Sequence, residues 1–209
     1  MNHQQNNSVK QQDTFVRIGP EGRIPMDYPA IIRLSAGNKY GTGFLINETT
    51  IITAAHNITE KTQLSNRKAE ILKRERYVPG TSGLSTKSTP NPYDLALITL
   101  KPPGIILNEF EYIKLEEGQQ SNTCIIVGYQ EIHNYQTGAN GPANKKTNGL
   151  YEYEMDTGKG QSGGPLLLSG TMQPIAIGVH IHGLIEKNKN YAAPITANFV
   201  KWVWDNSPA

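Results

Sequence analysis

Short apolar runs recur along most of the chain, and each is bounded by Gly, Asn, Pro or Thr. Many of their residues are β-branched, and brief runs with such boundaries are typical of β-strands. The runs span residues 30–34, 43–46, 50–53, 95–100, 124–127, 165–168 and 175–179. The pattern therefore predicts a chain built mainly from short strands.

Helical periodicity is sustained in two stretches only. The first is the charged segment 67–76, and the second is the C-terminus, where a helix is predicted to begin near Thr196. The apolar residues of this second helix share one side: Phe199, Val200, Trp202 and Val203. Many short strands followed by a closing helix predict an all-β fold, either a sandwich or a pair of barrels.

Four polar or irregular segments separate these elements. Residues 1–14 are rich in Gln and Asn and are predicted to form a flexible tail, since they have little to bury. Residues 79–92 and 138–149 are rich in Gly, Pro, Asn and Thr and are predicted to be long surface loops. The span 101–118 is predicted to connect two halves of the protein.

Composition excludes several classes of protein. The chain has 20 Lys and Arg against 18 Asp and Glu, a net charge of +2. This composition lacks the excess of basic residues that nucleic-acid-binding proteins normally have. The apolar runs are far shorter than the ~20 residues that span a membrane, and residues 1–15 lack the apolar stretch of a secretory signal. The single cysteine, Cys124, excludes an internal disulfide and a zinc finger and is predicted to be a core thiol.

The segment GKGQSGGP at residues 158–165 is the most informative for function. Ser162 has a glycine within two residues on either side, so its backbone is free to adopt unusual dihedral angles. Tight turns of this kind can direct successive N–H groups toward one point, as an oxyanion requires. The segment alone is equally consistent with a Gly-Ser turn between strands, so the decision depends on partners for the serine.

A histidine oriented by a carboxylate would activate Ser162. The order Ser, acid, His is excluded, because no Asp or Glu lies between Ser162 and the last histidine, His182. The order His, Asp, Ser is available: His56 follows one apolar run, and Asp94 opens another, where a buried carboxylate needs a partner. The order Asp, His, Ser would require Asp27, which lies in a predicted turn.

Three segments resemble the signature blocks of chymotrypsin-like (trypsin-fold) serine endopeptidases: TAAH at 53–56, DLAL at 94–97 and GQSGGP at 160–165. Within that group, YEMDTGKGQSG at 153–163 and IGVH at 177–180 are most similar to the bacterial glutamyl endopeptidases. The resemblance implies an all-β fold of two antiparallel β-barrels with a C-terminal α-helix. The first barrel would span 15–110 and carry His56 and Asp94; the second would span 111–209 and carry Ser162.

The resemblance also implies a function. His56, Asp94 and Ser162 would form a catalytic triad that hydrolyses peptide bonds through an acyl-enzyme, and the N–H groups of Gly160 and Ser162 would form the oxyanion hole. Neither a cofactor nor a metal is implied. The partner would be a protein or peptide substrate, with no nucleic acid and no membrane, and the protein would act as a monomer.

Two opposing features bear on specificity. Asp156, six residues before Ser162, occupies the position from which trypsin-like enzymes bind Arg or Lys. Thr157 and His180 match positions that bind a substrate Glu in glutamyl endopeptidases, which tolerate an Asp at 156. A histidine suits an anionic side chain and opposes a cationic one, so cleavage after Glu, and secondarily Asp, is predicted. His182 is predicted to lie on the wall that pairs with the substrate backbone.

Other interpretations stay open at this point. They are a trypsin-like preference for Arg or Lys, a catalytically inactive binding module on the same fold, and an effector protease with a single protein target. The residue before the nucleophile, Gln161, is neutral, so the trypsin-style ion pair with a new amino terminus is predicted to be unnecessary. Some relatives complete the specificity pocket with their mature amino terminus. In this chain the 1–14 tail is therefore predicted either to be trimmed or to replace that contact. Relatives are mostly secreted, whereas the absent signal and free Cys124 fit an intracellular start or unconventional export.

Overall fold

The strands of the computed structural model form two sheets, and the structure describes residues 24–79, 89–118, 122–184 and 189–208. In chain order the strands are β1 (Ile24–Met26), β2 (Ile31–Ala36), β3 (Lys39–Asn47), β4 (Thr50–Thr53), β5 (Thr62–Leu64), β6 (Ile71–Arg76), β7 (Ala96–Leu100), β8 (Lys114–Leu115), β9 (Asn122–Tyr129), β10 (Gln136–Lys145), β11 (Tyr151–Tyr153), β12 (Pro165–Leu168), β13 (Ile175–Leu184) and β14 (Lys189–Pro194).

The first sheet has the order β5-β2-β3-β4-β7-β6 and is antiparallel throughout. Every residue of β4 and β7 is buried, which agrees with their nearly continuous apolar or Thr-rich sequences. The two strands pair with each other from Thr50↔Thr99 to Thr53↔Ala96. This pairing brings the residue after β4 close to the residue before β7.

The second sheet has the order β1-β10-β11-β14-β13-β12-β9, and β9 also pairs with β10. This last pairing closes strands β9 to β14 into a barrel, because it joins β9, at one end of the row, to β10, which lies next to β1 at the other end. Strand β1 adds to the outside of β10, and β8 pairs in parallel with β13. The N-terminal strand is therefore attached to the barrel that the C-terminal half of the chain builds.

One α-helix, α1 (Ala197–Asn206), follows the second sheet, and the Thr196 hydroxyl caps it by accepting from the Phe199 N–H at 3.2 Å. Phe199 and Val203 are buried in the same apolar cluster as the first sheet, and Phe199 packs edge-on against Tyr77. The helix thus crosses back onto the first half of the molecule. The predicted fold class is confirmed: an all-β protein with two antiparallel barrels, one closed and one half-open, and a C-terminal helix.

Two local predictions were wrong. Segment 67–76 has no helix, because residues 71–76 form β6 and pair with the fully buried β7; pairing with a buried strand outweighs helical periodicity there. Residues 138–145, predicted as part of a loop, lie in β10, where small residues allow close packing and a Cβ on Gly138 would lie 2.7 Å from the Ile126 carbonyl oxygen.

Some predictions fall on residues that the structure does not describe. These are the tail 1–14 and most of the predicted loop at 79–92. In the parts of the chain that are described, no helix has the length and apolar character needed to cross a membrane.

Candidate active site

His56 and Asp94 form a hydrogen-bonded pair at one end of the first sheet. His56 lies in a single 3₁₀ turn (Ala55–Asn57) directly after β4, and Asp94 lies just before β7. The His56 Nδ1 lies 2.7 Å from one carboxylate oxygen of Asp94, and the His56 backbone N–H donates to the other at 2.9 Å. Asp94 is fully buried, while 29% of the His56 side chain is exposed. Since an ionised carboxylate only accepts, Nδ1 carries the proton and Nε2 is the basic nitrogen.

The Ser162 loop is held against the same turn. Ser162 lies between β11 and β12, and its carbonyl accepts from the backbone N–H of Thr42 at 2.8 Å and from the side-chain amide of Asn57 at 2.7 Å. Asn57 is the residue next to His56. The next residue, Gly163, has φ +90° and approaches the Thr42 carbonyl so closely that only glycine fits. The chain therefore brings the Ser162 loop, from the second sheet, to the turn of the first half that carries His56.

The peptide groups that carry the predicted oxyanion donors are each fixed at their carbonyl end. The Lys159 carbonyl accepts from the Glu131 N–H at 2.7 Å, and the Gln161 carbonyl accepts from the Gly164 N–H at 2.9 Å. In a trans peptide the N–H points away from the carbonyl. The orientations of the Gly160 and Ser162 N–H groups follow from these two hydrogen bonds.

Gln161 ties the loop together without an ion pair. Its side chain is fully buried; Oε1 accepts from the Gly158 N–H at 2.6 Å, and Nε2 donates to the Thr137 carbonyl at 3.0 Å. From the first sheet, the Thr42 hydroxyl donates to the Gly160 carbonyl at 2.9 Å. The loop is thus anchored by neutral hydrogen bonds to both sheets.

The predicted specificity residues lie deeper in the second barrel. Asp156 and Thr157 are each 2% exposed, and the Thr157 hydroxyl donates to the Asn190 side-chain oxygen at 2.8 Å. His180 is on β13, and its backbone N–H and carbonyl bond to Gly164 and Gly163 at 2.8 and 2.7 Å. The strand that carries His180 is therefore bonded directly to the serine loop.

The His180 imidazole is held in its neutral form. Its Nδ1 lies 2.6 Å from the Tyr153 hydroxyl, and the residue as a whole is 3% exposed. Burial, followed by the charges of His182 and His56, lowers the pKa of His180 to about 3, and a backbone hydrogen bond with Tyr191 opposes this shift. Burial also raises the pKa of Tyr153, so the phenol keeps its proton, and we assign that proton as the donor to Nδ1. The imidazole N–H is then on Nε2.

This depressed pKa makes folding sensitive to acid. The unfolded chain takes up a proton on His180 near pH 6.5, and the folded protein does so only near 3. The free energy of unfolding should therefore fall as the pH drops through this window, by about 1.4 kcal/mol per pH unit. Urea unfolding from about pH 7 to about pH 4 should show a shallower fall for His180→Gln, which keeps an acceptor for Tyr153. Parallel curves for the two proteins would contradict the assignment.

His182 is half-buried on β13 and pairs with Tyr191 of β14, after a bulge that follows His180. Cys124 is fully buried and burial raises its pKa to about 12, as expected for a core thiol.

Sequence reasoning missed the side chains that fix the site rather than perform its chemistry: Thr42, Asn57, Tyr153 and Asn190. Two of them had a signal: Asn57 lies next to the candidate histidine, and Tyr153 opens the segment 153–163 that carries the family resemblance. The others come from strands whose apolar or polar pattern does not distinguish them from ordinary strand residues.

Comparisons with known proteins identify a family and solved structures of the same fold. The trypsin family model matches residues 18–203. Among solved structures, a Glu endopeptidase in complex with MPD is 24% identical with a TM-score of 0.71, over 91% of this chain and 98% of that one. Neuropsin, a serine protease expressed in the limbic system of mouse brain, is 20% identical with a TM-score of 0.67, over 91% of this chain and 97% of its own. No curated protein matches.

Proposed function

Because the chain belongs to the trypsin family of serine proteases, we propose that it hydrolyses peptide bonds with His56, Asp94 and Ser162 as its catalytic triad. The observation that carries the proposal is the pair of hydrogen bonds that His56 donates to Asp94, from Nδ1 at 2.7 Å and from the backbone N–H at 2.9 Å, beside a serine loop bonded to the same turn. A buried carboxylate that orients an imidazole is the arrangement that a general base for serine requires.

Each step of the reaction then has a residue. His56 Nε2 takes the Ser162 proton as the hydroxyl oxygen attacks the peptide carbonyl, and Asp94 stabilises the resulting imidazolium. The N–H groups of Gly160 and Ser162 donate to the oxyanion of the tetrahedral intermediate. His56 returns the proton to the leaving amine, and water, activated by the same imidazole, releases the acyl group. No step calls for a metal or a cofactor.

For specificity we propose cleavage after Glu and, less efficiently, after Asp. Two potential donors support this: the imidazole of neutral His180, whose Nδ1 contacts the Tyr153 hydroxyl, and the Thr157 hydroxyl, which donates to the Asn190 side-chain oxygen. Donors in a buried pocket favour a carboxylate and offer nothing to a guanidinium. The alternative is selection of Arg or Lys by the buried carboxylate of Asp156.

The test is cleavage of a peptide library by the full 209-residue chain with its amino terminus acetylated, followed by mass spectrometry. Cuts after Glu are expected, and a fluorophosphonate should attach to Ser162. In trypsin-like zymogens the residue before the nucleophile forms an ion pair with a newly cut amino terminus. Here that residue is the buried, neutral Gln161, so labelling should not require a free or newly cut amino terminus. The control is the same protein after labelling, which should leave the library intact.

Each result has a defined meaning. Absence of both labelling and cleavage would refute the proposed peptidase activity and favour a catalytically inactive binding module. Cuts after Arg or Lys would overturn the acidic specificity in favour of Asp156. Labelling that appears only once the N-terminal tail is removed would overturn the role given to Gln161. Cleavage of one protein but no library peptide would favour a narrow effector protease.

A further inference from the structure

Asn57 links the two halves of the candidate site, and we infer that it is a positioning residue that sets the place of Ser162 relative to His56. The inference rests on the proposed function. Asn57 does not touch the reacting atoms; it acts through the carbonyl of Ser162.

The side-chain nitrogen of Asn57 uses both of its hydrogens. One goes to the Ser162 carbonyl at 2.7 Å and the other to the Thr53 hydroxyl oxygen at 3.1 Å. The Thr53 hydroxyl is itself a donor to the Thr42 carbonyl at 2.6 Å, so its oxygen is directed to accept from Asn57. Thr42 completes the cluster, since its N–H donates to the same Ser162 carbonyl at 2.8 Å.

The backbone of Asn57 is fixed on both sides. Its N–H donates to the Ala54 carbonyl at 3.0 Å, and its carbonyl accepts from the Thr62 hydroxyl at 2.9 Å. The turn that holds His56 therefore has little freedom to move by itself. A side chain on that turn that binds the Ser162 carbonyl transfers this rigidity to the nucleophile.

The position of the Asn57 side-chain amide also depends on the absence of a side chain at Gly41. Gly41 is on β3, and a Cβ there would lie 2.7 Å from the Cγ, Oδ1 and Nδ2 atoms of Asn57. The backbone of Gly41 is not left-handed, so alanine is conformationally allowed. Gly41→Ala would therefore push the amide away from Ser162 while leaving the chemistry of Asn57 unchanged.

The experiment is a double-mutant cycle of Asn57→Ala and Gly41→Ala. Each single variant is expected to lower kcat on a Glu peptide by about ten- to a hundredfold with KM unchanged, because a small displacement of the nucleophile impairs proton transfer rather than binding. The double variant is expected to be no worse than Asn57→Ala, since the new methyl group then occupies vacated space. The fluorophosphonate labelling rate of Ser162 should fall in parallel with kcat.

Two further variants separate position from stability. Gly43→Ala, on the same strand, would meet the Ile51 side chain at 2.7 Å instead of Asn57; it is expected to lower the Tm but not kcat. Asn57→Asp replaces the donor with a charge beside the histidine, and it should lower kcat and move the acid limb of the pH profile upward. This variant and Gly41→Ala carry the test if Asn57→Ala does not fold.

The failures of the two proposals look different. A wild-type protein that neither labels nor hydrolyses peptides refutes the proposed function. An active wild type refutes the inference if Asn57→Ala keeps its kcat, or if the effects of the Asn57 and Gly41 changes add in full. A fall in kcat that tracks the Tm across all variants, Gly43→Ala included, also refutes it.

Discussion

Replacing Asp94 with asparagine is expected to lower kcat by about four orders of magnitude with the fold intact. One carboxylate oxygen accepts from the backbone N–H of His56, and that donor cannot change. The amide oxygen of an asparagine must take this place, so the amide NH₂ faces Nδ1 at the other contact of 2.7 Å. Nδ1 must then accept, and the proton moves to Nε2, which can no longer take one from Ser162.

The measurement is kcat on a Glu peptide together with the Tm. Asp205→Asn is a matched control, because Asp205 is an exposed acid paired with Lys201 on α1; it should keep full activity. If the Asp94→Asn protein folds and retains activity within about tenfold of the wild type, Asp94 does not orient the His56 imidazole as proposed.

Replacing His180 with leucine is expected to lower kcat/KM for a substrate with Glu before the cleaved bond by about a thousandfold. Tyr153 fixes the imidazole with its N–H on Nε2, and the leucine removes this donor from a buried site. A carboxylate that enters the pocket would then lose one of its two proposed donors and keep only the Thr157 hydroxyl. A substrate with Gln at the same place carries no charge and should lose far less.

The ratio of kcat/KM for the Glu and Gln peptides is therefore the quantity to measure. Tyr153→Phe is a milder test, because it keeps the ring of His180 but frees its tautomer; the ratio should fall in the same direction. Asp156→Asn should leave cleavage after Glu intact or improve it. Equal losses on both peptides with His180→Leu would show a structural effect only and sink the assignment.

The strand-rich fold and the chain order of the candidate triad could be predicted from the sequence, because both depend on local signals. Apolar runs with breakers mark the strands, and His56 and Asp94 lie at the ends of runs that pair in the structure. The predictions for 67–76 and for residues 138–145 failed for a related reason. In both segments the identity of the pairing partner, which no local window contains, decides that the chain is extended.

The contacts that tune the site were beyond local reasoning. Asn57 and Ser162 are 105 positions apart, and Thr42 and Gly160 are 118 apart. Such pairs depend on how two sheets dock, and their residue types are unremarkable for a turn or a strand. Tyr153 was part of the family resemblance, yet nothing in its neighbours indicated that it would fix a tautomer.

The division of the site between the two sheets has a consequence for the newly made chain. The base and its carboxylate belong to the part synthesised first, while the nucleophile and the strand that braces it, β13, emerge from the ribosome later. Helix α1 then packs against residues of the first part, such as Tyr77. If the proposed triad is correct, a nascent polypeptide therefore has no peptidase activity until both portions have been synthesised and have docked.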